Sequence, residues 1–314
     1  MNGSAPQVSI VIPVYNEQEG LATLFARLYP ALDALQRSYE ILLVDDGSDD
    51  RSVALLREQY EHRADVTRVV VLAGNFGQHN AILAGFAQVR GQYVVTLDAD
   101  LQNPPEEIGN ILTQMDQGHD YVGTIRQMRQ DSAWRRWPSR LLNMIRERTT
   151  SIRITDQGCM LRGYSRAVID AINQCPEVNT YIPALAYLFA RSPVEIQVRH
   201  EERAAGTSKY SMYKLLRLNF DLMTGFSIVP LQLYSLLGTV IAFASLALFA
   251  ILMVQRLLYG ADVQGVFTLF SIVFFLLGVL LIGVGLLGEY IGRIYAQVRG
   301  RPRYLVQAVL QKDA

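Results

Sequence analysis

Asp98 and Asp100 flank a single residue, and Gln102 follows at the same interval. In extended chain, side chains two apart point to the same side. Two carboxylates and an amide oxygen then converge, a hard-oxygen set suited to Mg2+ or Mn2+ with room left for waters and diphosphate oxygens. The same aspartates also read as caps for the helix that Pro104-Pro105-Glu106-Glu107 starts. A second acidic pair, Asp45-Asp46, precedes Gly47-Ser48. It serves either as a turn and helix cap or as an acceptor for a ribose hydroxyl or a nucleobase N–H. Tyr15 can stack on a base or pack as a core aromatic, and Glu17 can take a further hydroxyl. His62, His79, His119 and His200 form no metal-spaced set; Gln78-His79 lies at a helix start, facing the same sheet edge or serving as a cap.

These residues need a scaffold. The compact apolar runs Val8–Pro13, Ile41–Val44, Val69–Leu72, Val94–Leu97 and Tyr121–Thr124 alternate with amphipathic stretches around Leu21–Leu35, Ser52–Tyr60, Ala81–Val89 and Glu106–Met115. That pattern predicts an α/β fold with a mostly parallel sheet covered on both faces. Ligands of such sheets gather at the carboxyl ends of the strands. Every acidic motif above falls just after a strand, and Arg126 and Arg129 follow the fifth. Carboxylates crowded at one edge repel unless a cation or donor groups sit among them. No Gly-x-Gly-x-x-Gly follows the first strand and no Gly-Lys-Ser/Thr is present, which excludes the usual dinucleotide and P-loop sites.

Residues 1–210 read as water-soluble; residues 231–290 do not. Leu233–Val254 and Val266–Leu287 are each 22 residues without a charge, against the roughly 20 that cross a bilayer core. The spans are drawn at 231–258 and 266–290, with a juxtamembrane amphipathic helix at 211–230 and a tail at 291–314. The connector Leu258–Gly265 has no Lys or Arg, whereas the tail holds Arg293, Arg299, Arg301 and Arg303. By the positive-inside rule both ends lie in the cytoplasm, and Arg256 can snorkel to the interface. No basic segment followed by an apolar run marks a signal peptide at the N-terminus. Gly283, Gly285 and Gly288-x-x-x-Gly292 offer close helix approach. Between Arg126 and Arg153 stand eight arginines and two acids. A helix near 139–150, with Trp134 and Trp137 beside it, reads as interfacial on an anionic leaflet or as a solvated charged face.

Half the chain is apolar and 18% is charged, with 29 basic and 29 acidic residues. This excludes a disordered chain, a collagen-like chain and a disulfide scaffold. The net charge of +0 argues for no acidic partner and no nucleic acid. Cys159 and Cys175 are too few for a framework or a zinc site.

Pro13-x-Tyr15-Asn16-Glu17, Asp45-Asp46-Gly47-Ser48 and Asp98-Ala99-Asp100-Leu101-Gln102 at these intervals resemble the inverting family 2 glycosyltransferases with the GT-A fold. Gly158-Cys159-Met160-Leu161-Arg162, Gly206-x-Ser208-Lys209-Tyr210, the two spans and Leu287–Arg293 are similar to the polyprenyl-phosphate glycosyltransferases of bacterial membranes. Phe76-Gly77-Gln78-His79, Leu101–Ile108 and Arg129–Ser132 resemble the members that transfer 4-deoxy-4-formamido-L-arabinose; Tyr181–Tyr187 departs from their usual stretch.

The resemblance implies a UDP-sugar donor, an undecaprenyl phosphate acceptor and a divalent ion, Mg2+ or Mn2+. It assigns Pro13, Tyr15, Glu17, Asp45, Asp46, Asp98 and Ala99 to the donor, with Arg203 and Lys209 at its diphosphate. The ion falls to Asp98, Asp100 and Gln102, with Asp100 central to catalysis. Asp156 resembles a base position, or it orders an arginine. The acceptor phosphate is already anionic, so it needs positioning more than a base; Arg126 and Arg129 suit it through the bidentate guanidinium fork. The implied setting is the cytoplasmic face of the bacterial inner membrane, the implied assembly a homotetramer, and the implied pathway one that modifies lipid A. The alternatives are the same reaction with glucose, mannose or an N-acetylhexosamine, or a non-catalytic sugar-nucleotide-binding scaffold. A processive polysaccharide synthase is excluded by the missing Gln-x-x-Arg-Trp motif and by having only two spans.

Overall fold

The structure, a computed structural model, describes residues 5–126, 154–156, 158–177, 181–201, 220, 224–225, 227–259 and 266–312. They fall into two compact units. In the first, β1 (Val8–Val14), β2 (Tyr39–Asp45), β3 (Thr67–Leu72) and β4 (Tyr93–Thr96) are joined by α1 (Leu21–Asp33), α2 (Ser52–His62) and α3 (Gln78–Phe86). A 3-10 turn (Pro105–Glu107) leads into α4 (Ile108–Asp116), followed by β5 (Tyr121–Arg126), β6 (Arg162–Ser165), α5 (Arg166–Gln174), α6 (Ile182–Phe189) and β7 (Pro193–Val198). The last strand, β8 (Val306–Leu310), comes from the tail.

The sheet order is β7-β5-β6-β4-β1-β2-β3-β8. Pairings β1/β2, β1/β4, β2/β3 and β5/β7 are parallel; β4/β6, β5/β6 and β3/β8 are antiparallel. The sheet is thus mixed, and its parallel part is the run anticipated from the apolar segments. The chain moves from β1 out to β2 and β3, then returns to place β4 on the other side of β1. That reversal opens a crevice at the carboxyl ends of β1 and β4.

Burial explains why these segments are strands. β3 is buried along its whole length, and β1 along all but one residue. α1 turns Leu21, Leu24, Leu28, Tyr29 and Leu32 inward at helical spacing. Each such side chain contributes about 1.5–3 kcal/mol when fully buried. α3 is buried from Ala81 to Phe86. It lies so close to the sheet that a Cβ on Gly85 would come within 2.5 Å of the Val11 side chain.

The second unit holds α7 (Val229–Tyr259) and α8 (Val266–Val298). α7 contains a predominantly apolar segment, Val229–Leu248, and α8 another, Ile272–Val298, which includes Glu289 and Arg293; both segments are almost wholly unburied. Leu236, Phe243, Phe274 and Leu281 are exposed. Such surfaces suit lipid rather than water. Tyr234 donates to the Val279 carbonyl at 2.9 Å, and its ring lies where a Cβ on Gly283 would stand. Close approach is therefore made at Gly283; a Cβ on Gly285, Gly288 or Gly292 would meet nothing within 4 Å. The interfacial helix near 139–150, Trp134, Trp137 and most of the 211–230 helix lie outside the described residues.

Candidate active site

β1 and β2 are in register, with Pro13 opposite Val44 and Val14 opposite Asp45. The turns that follow are stitched together. Asn16 N–H donates to Ser48 Oγ at 3.0 Å, and Asp49 N–H to Asn16 Oδ1 at 2.9 Å. Glu17 N–H donates to Ser52 Oγ at 3.0 Å. Asn16 holds φ 54°, a left-handed conformation that asparagine tolerates. Tyr15 is 43% exposed, so its ring is not a packed core aromatic.

Asp45 is fully buried. Its Oδ2 accepts from the Gly47 and Ser48 N–H groups, each at 3.1 Å, while Oδ1 has no partner among the described residues. One oxygen therefore makes the turn and the other remains a buried acceptor, which calls for a ligand donor or water. Gly47 has φ 68°, and a Cβ there would strike the Gly74 backbone. Asp46 accepts from Phe76 N–H at 2.8 Å and Gly77 N–H at 2.9 Å, tying the entrance of α3 to β2. Burial pushes its carboxyl up in spite of those donors.

Across the crevice, Asp98 Oδ1 accepts from Gln78 Nε2 at 2.7 Å. Burial first, then Asp100, push Asp98 up to about 7; Glu17 adds to this, and Arg126 and Arg162 oppose it. Asp100 Oδ1 accepts from Gln102 N–H at 3.1 Å. Leu101 between them has φ 59°. The chain therefore turns here rather than staying extended, and simple alternation does not carry Gln102 to the same side. Ala99 and Leu101 are buried beneath the turn. Among the described residues no three His, Cys, Asp or Glu side chains form a cage for an ion. Two mutually repelling carboxylates still fit a divalent ion that takes its remaining ligands from water and diphosphate.

At the end of β5, Arg126 donates to Asp156 from Nε at 2.7 Å and from Nη2 at 2.9 Å. Gly158 N–H adds a bond at 3.0 Å. Burial would raise Asp156, but Arg126 outweighs it and the carboxyl is held below its ordinary value. Beneath this turn lies Arg162, fully buried. It donates to the Cys159 carbonyl at 2.7 Å, to the Asp156 carbonyl at 2.6 Å and to the Tyr121 hydroxyl. Cys159 is an interior thiol between Thr124 and Asn103. His79 is edge-on to Tyr181 with ring centroids 5.4 Å apart.

The structure thus gathers Tyr15, Glu17, Asp45, Asp46, Asp98 and Asp100 along one edge and pairs Arg126 with Asp156. Arg129, Arg203 and Lys209 lie outside the described residues. Gln78 as a holder of Asp98, Ser48 and Ser52 as stitches, and Arg162 as a buried support went unassigned in the sequence. A glutamine or serine carries no signal until its partner is known. Arg162 entered only as the last residue of the Gly158–Arg162 motif.

Comparison with known proteins identifies the family and the fold. The model of Glycosyl transferase family 2 matches residues 9–172. The undecaprenyl-phosphate 4-deoxy-4-formamido-L-arabinose transferase of Edwardsiella ictaluri is 50% identical over 308 residues, covering 98% of this chain and 95% of the relative. The transferase of the same name from Pseudomonas aeruginosa strain LESB58 is 51% identical over 306 residues, covering 97% and 90%. That from Shewanella sediminis is 49% identical over 309 residues, covering 98% and 93%. Among solved structures, the glucosyl-3-phosphoglycerate synthase of Mycobacterium tuberculosis, in complex with Mn2+, UDP and glucosyl-3-phosphoglycerate, superposes with a TM-score of 0.50 at 15% identity, covering 70% of this chain and 78% of that one. That likeness concerns the fold, and it is the GT-A fold expected from the motifs. With its family model spanning the crevice motifs and its relatives matching nearly end to end, the chain belongs to glycosyl transferase family 2.

Proposed function

We propose that this protein transfers 4-deoxy-4-formamido-L-arabinose from a UDP-sugar to undecaprenyl phosphate, at the cytoplasmic face of a bacterial inner membrane. The observation that carries the reading is the acidic crevice, where Asp45 offers a buried oxygen without a partner among the described residues, opposite the Asp98 and Asp100 pair. Its support is the name shared by relatives at about half identity over nearly the whole chain.

In this reading Asp45 Oδ1 accepts a donor group of the nucleoside. Tyr15 stacks on the base, and Glu17 takes a hydroxyl. Pro13 and Ala99 shape the floor, and Asp46 holds the α3 entrance in place. Arg203 and Lys209 meet the diphosphate. Asp98, Asp100 and Gln102 would hold Mg2+ or Mn2+, which when bound supplies positive charge against the diphosphate leaving group. An acceptor phosphate oxygen forms the new bond to the anomeric carbon from the face opposite UDP. The bond to the UDP oxygen breaks with its electron pair, which inverts the configuration. Arg126, oriented by Asp156, and Arg129 position that phosphate. α7 and α8 span the membrane, residues 139–150 and 211–230 lie on its surface, and the protein assembles as a homotetramer.

The test is transfer by purified protein in detergent, with undecaprenyl phosphate, Mg2+ or Mn2+, and a panel of UDP- and GDP-sugars. Chelator-sensitive transfer of the formamido sugar alone is expected. Transfer of glucose instead would overturn the sugar assignment, and no lipid product from any donor would overturn the reaction.

A further inference from the structure

Leu101 lies in the middle of the Asp98–Gln102 turn at φ 59°. A branched side chain is strained there, and such a conformation persists only where its surroundings over-determine it. Asp100 holds the turn from inside, through Gln102 N–H. From outside, the Gln102 carbonyl accepts the N–H of Glu201 at 2.9 Å. Glu201 belongs to the segment that follows β7, and that segment needs an anchor of its own.

Arg27 of α1 provides it. Its guanidinium makes two bonds to the Glu201 carboxylate, at 2.8 and 3.0 Å, and two to the Glu106 carboxylate, at 3.2 and 3.0 Å. Arg199 adds a parallel tie, donating to the nearly buried Glu107 at 2.7 Å. Two short segments, 102–107 and 199–201, are thereby fastened to each other and to α1. Isolated surface ion pairs contribute little, but bidentate forks joined in a network are the exception. The α1 helix does not need this network to pack, because its buried face is made by other residues.

We infer that Arg27 is a positioning residue of the donor site, which clamps Glu201 and Glu106 so that the strained Leu101 turn presents Asp98 and Asp100 in one fixed geometry. The inference rests on the proposed role of those aspartates at the donor diphosphate.

The test compares full-length wild type with Arg27→Gln and Arg27→Lys in detergent. Three quantities are read: amide hydrogen exchange of peptides over 98–107, Mn2+ affinity in the presence of UDP, and kcat and KM for transfer. In Arg27→Gln, exchange over 98–107 should be faster by roughly tenfold, with peptides of β1 and β2 unchanged. Mn2+ affinity should fall by about tenfold, and kcat by about 10- to 100-fold at unchanged KM for undecaprenyl phosphate, as small misplacements at reacting centres do. Arg27→Lys should recover part of each loss, since it keeps the charge without the fork. Unchanged exchange and ion affinity in Arg27→Gln would overturn the inference, as would faster exchange spread evenly over the sheet. If wild type makes no lipid-linked sugar, the transfer reading fails, while exchange over 98–107 still decides the clamp.

Discussion

Arg126 and Asp156 meet through two parallel hydrogen bonds, with Asp156 almost fully buried and Arg126 24% exposed. This geometry favours Asp156 as the residue that aims an arginine over Asp156 as a base, because its carboxylate is already saturated with donors and held below its ordinary value. Asp156→Asn keeps the shape but loses the charge. Its expected effect is a raised KM for undecaprenyl phosphate and a loss of about 1–3 kcal/mol in stability. Steady-state kinetics and thermal unfolding check both. A lost acid limb in the pH–rate profile at unchanged KM would instead assign Asp156 as a base.

The same pair sets a pH dependence. A carboxyl whose folded value is depressed contributes stability that is present above its unfolded value, about 3.9, and is lost as pH falls through the folded value. Wild type and Asp156→Asn should therefore differ in unfolding temperature at neutral pH and converge in strong acid. A difference that stays constant into strong acid would contradict the assignment.

His79 adds a loss of stability in the same direction, in a higher window. Burial first, and then the Arg162 charge, pull it from 6.5 down to about 4, with Tyr181 the aromatic neighbour at its ring. The unfolded chain takes up a proton that the folded form resists. Stability is thus full above 6.5 and falls as pH drops toward 4. His79→Gln should flatten the fall in unfolding temperature over that range, and an unchanged slope would place the proton uptake elsewhere.

Gly47 is the glycine on which the Asp45 turn depends. Its φ of 68° and the adjacent Gly74 backbone leave no space for a Cβ. Gly47→Ala should cost more than about 1 kcal/mol and weaken UDP binding, because Asp45 is anchored through the N–H groups of Gly47 and Ser48. Calorimetric titration with UDP checks it, and binding at wild-type strength would separate Asp45 from the nucleoside.

The sequence made the strands and their acidic ends legible because parallel strands buried on both faces are continuous apolar runs, and β1 to β5 are such runs. It did not make β6, β7 and β8 legible. β6 (RGYS) and β7 (PVEIQV) are interrupted by polar and charged residues rather than continuous apolar runs, and β8 reaches the sheet only after the chain has passed through α7 and α8. Within the site, Asp45, Asp98 and Asp100 were readable by type and position. The bend at Leu101 was not, since a left-handed leucine is set by tertiary fastening and not by propensity. Nor were the links from Gln78 to Asp98 and from Arg27 to Glu201, which join residues distant in the chain.

In the proposed reaction, sugar transfer depends on the acidic crevice. The most direct measurement is the mass of the lipid recovered after undecaprenyl phosphate is incubated with the UDP-linked formamido sugar and Mn2+, using wild type and Asp100→Asn side by side. Wild type should give lipid heavier by one formamido-arabinosyl group, and Asp100→Asn a yield at least about 100-fold lower. Unmodified lipid from folded, UDP-binding wild type, or equal product from both proteins, would contradict it.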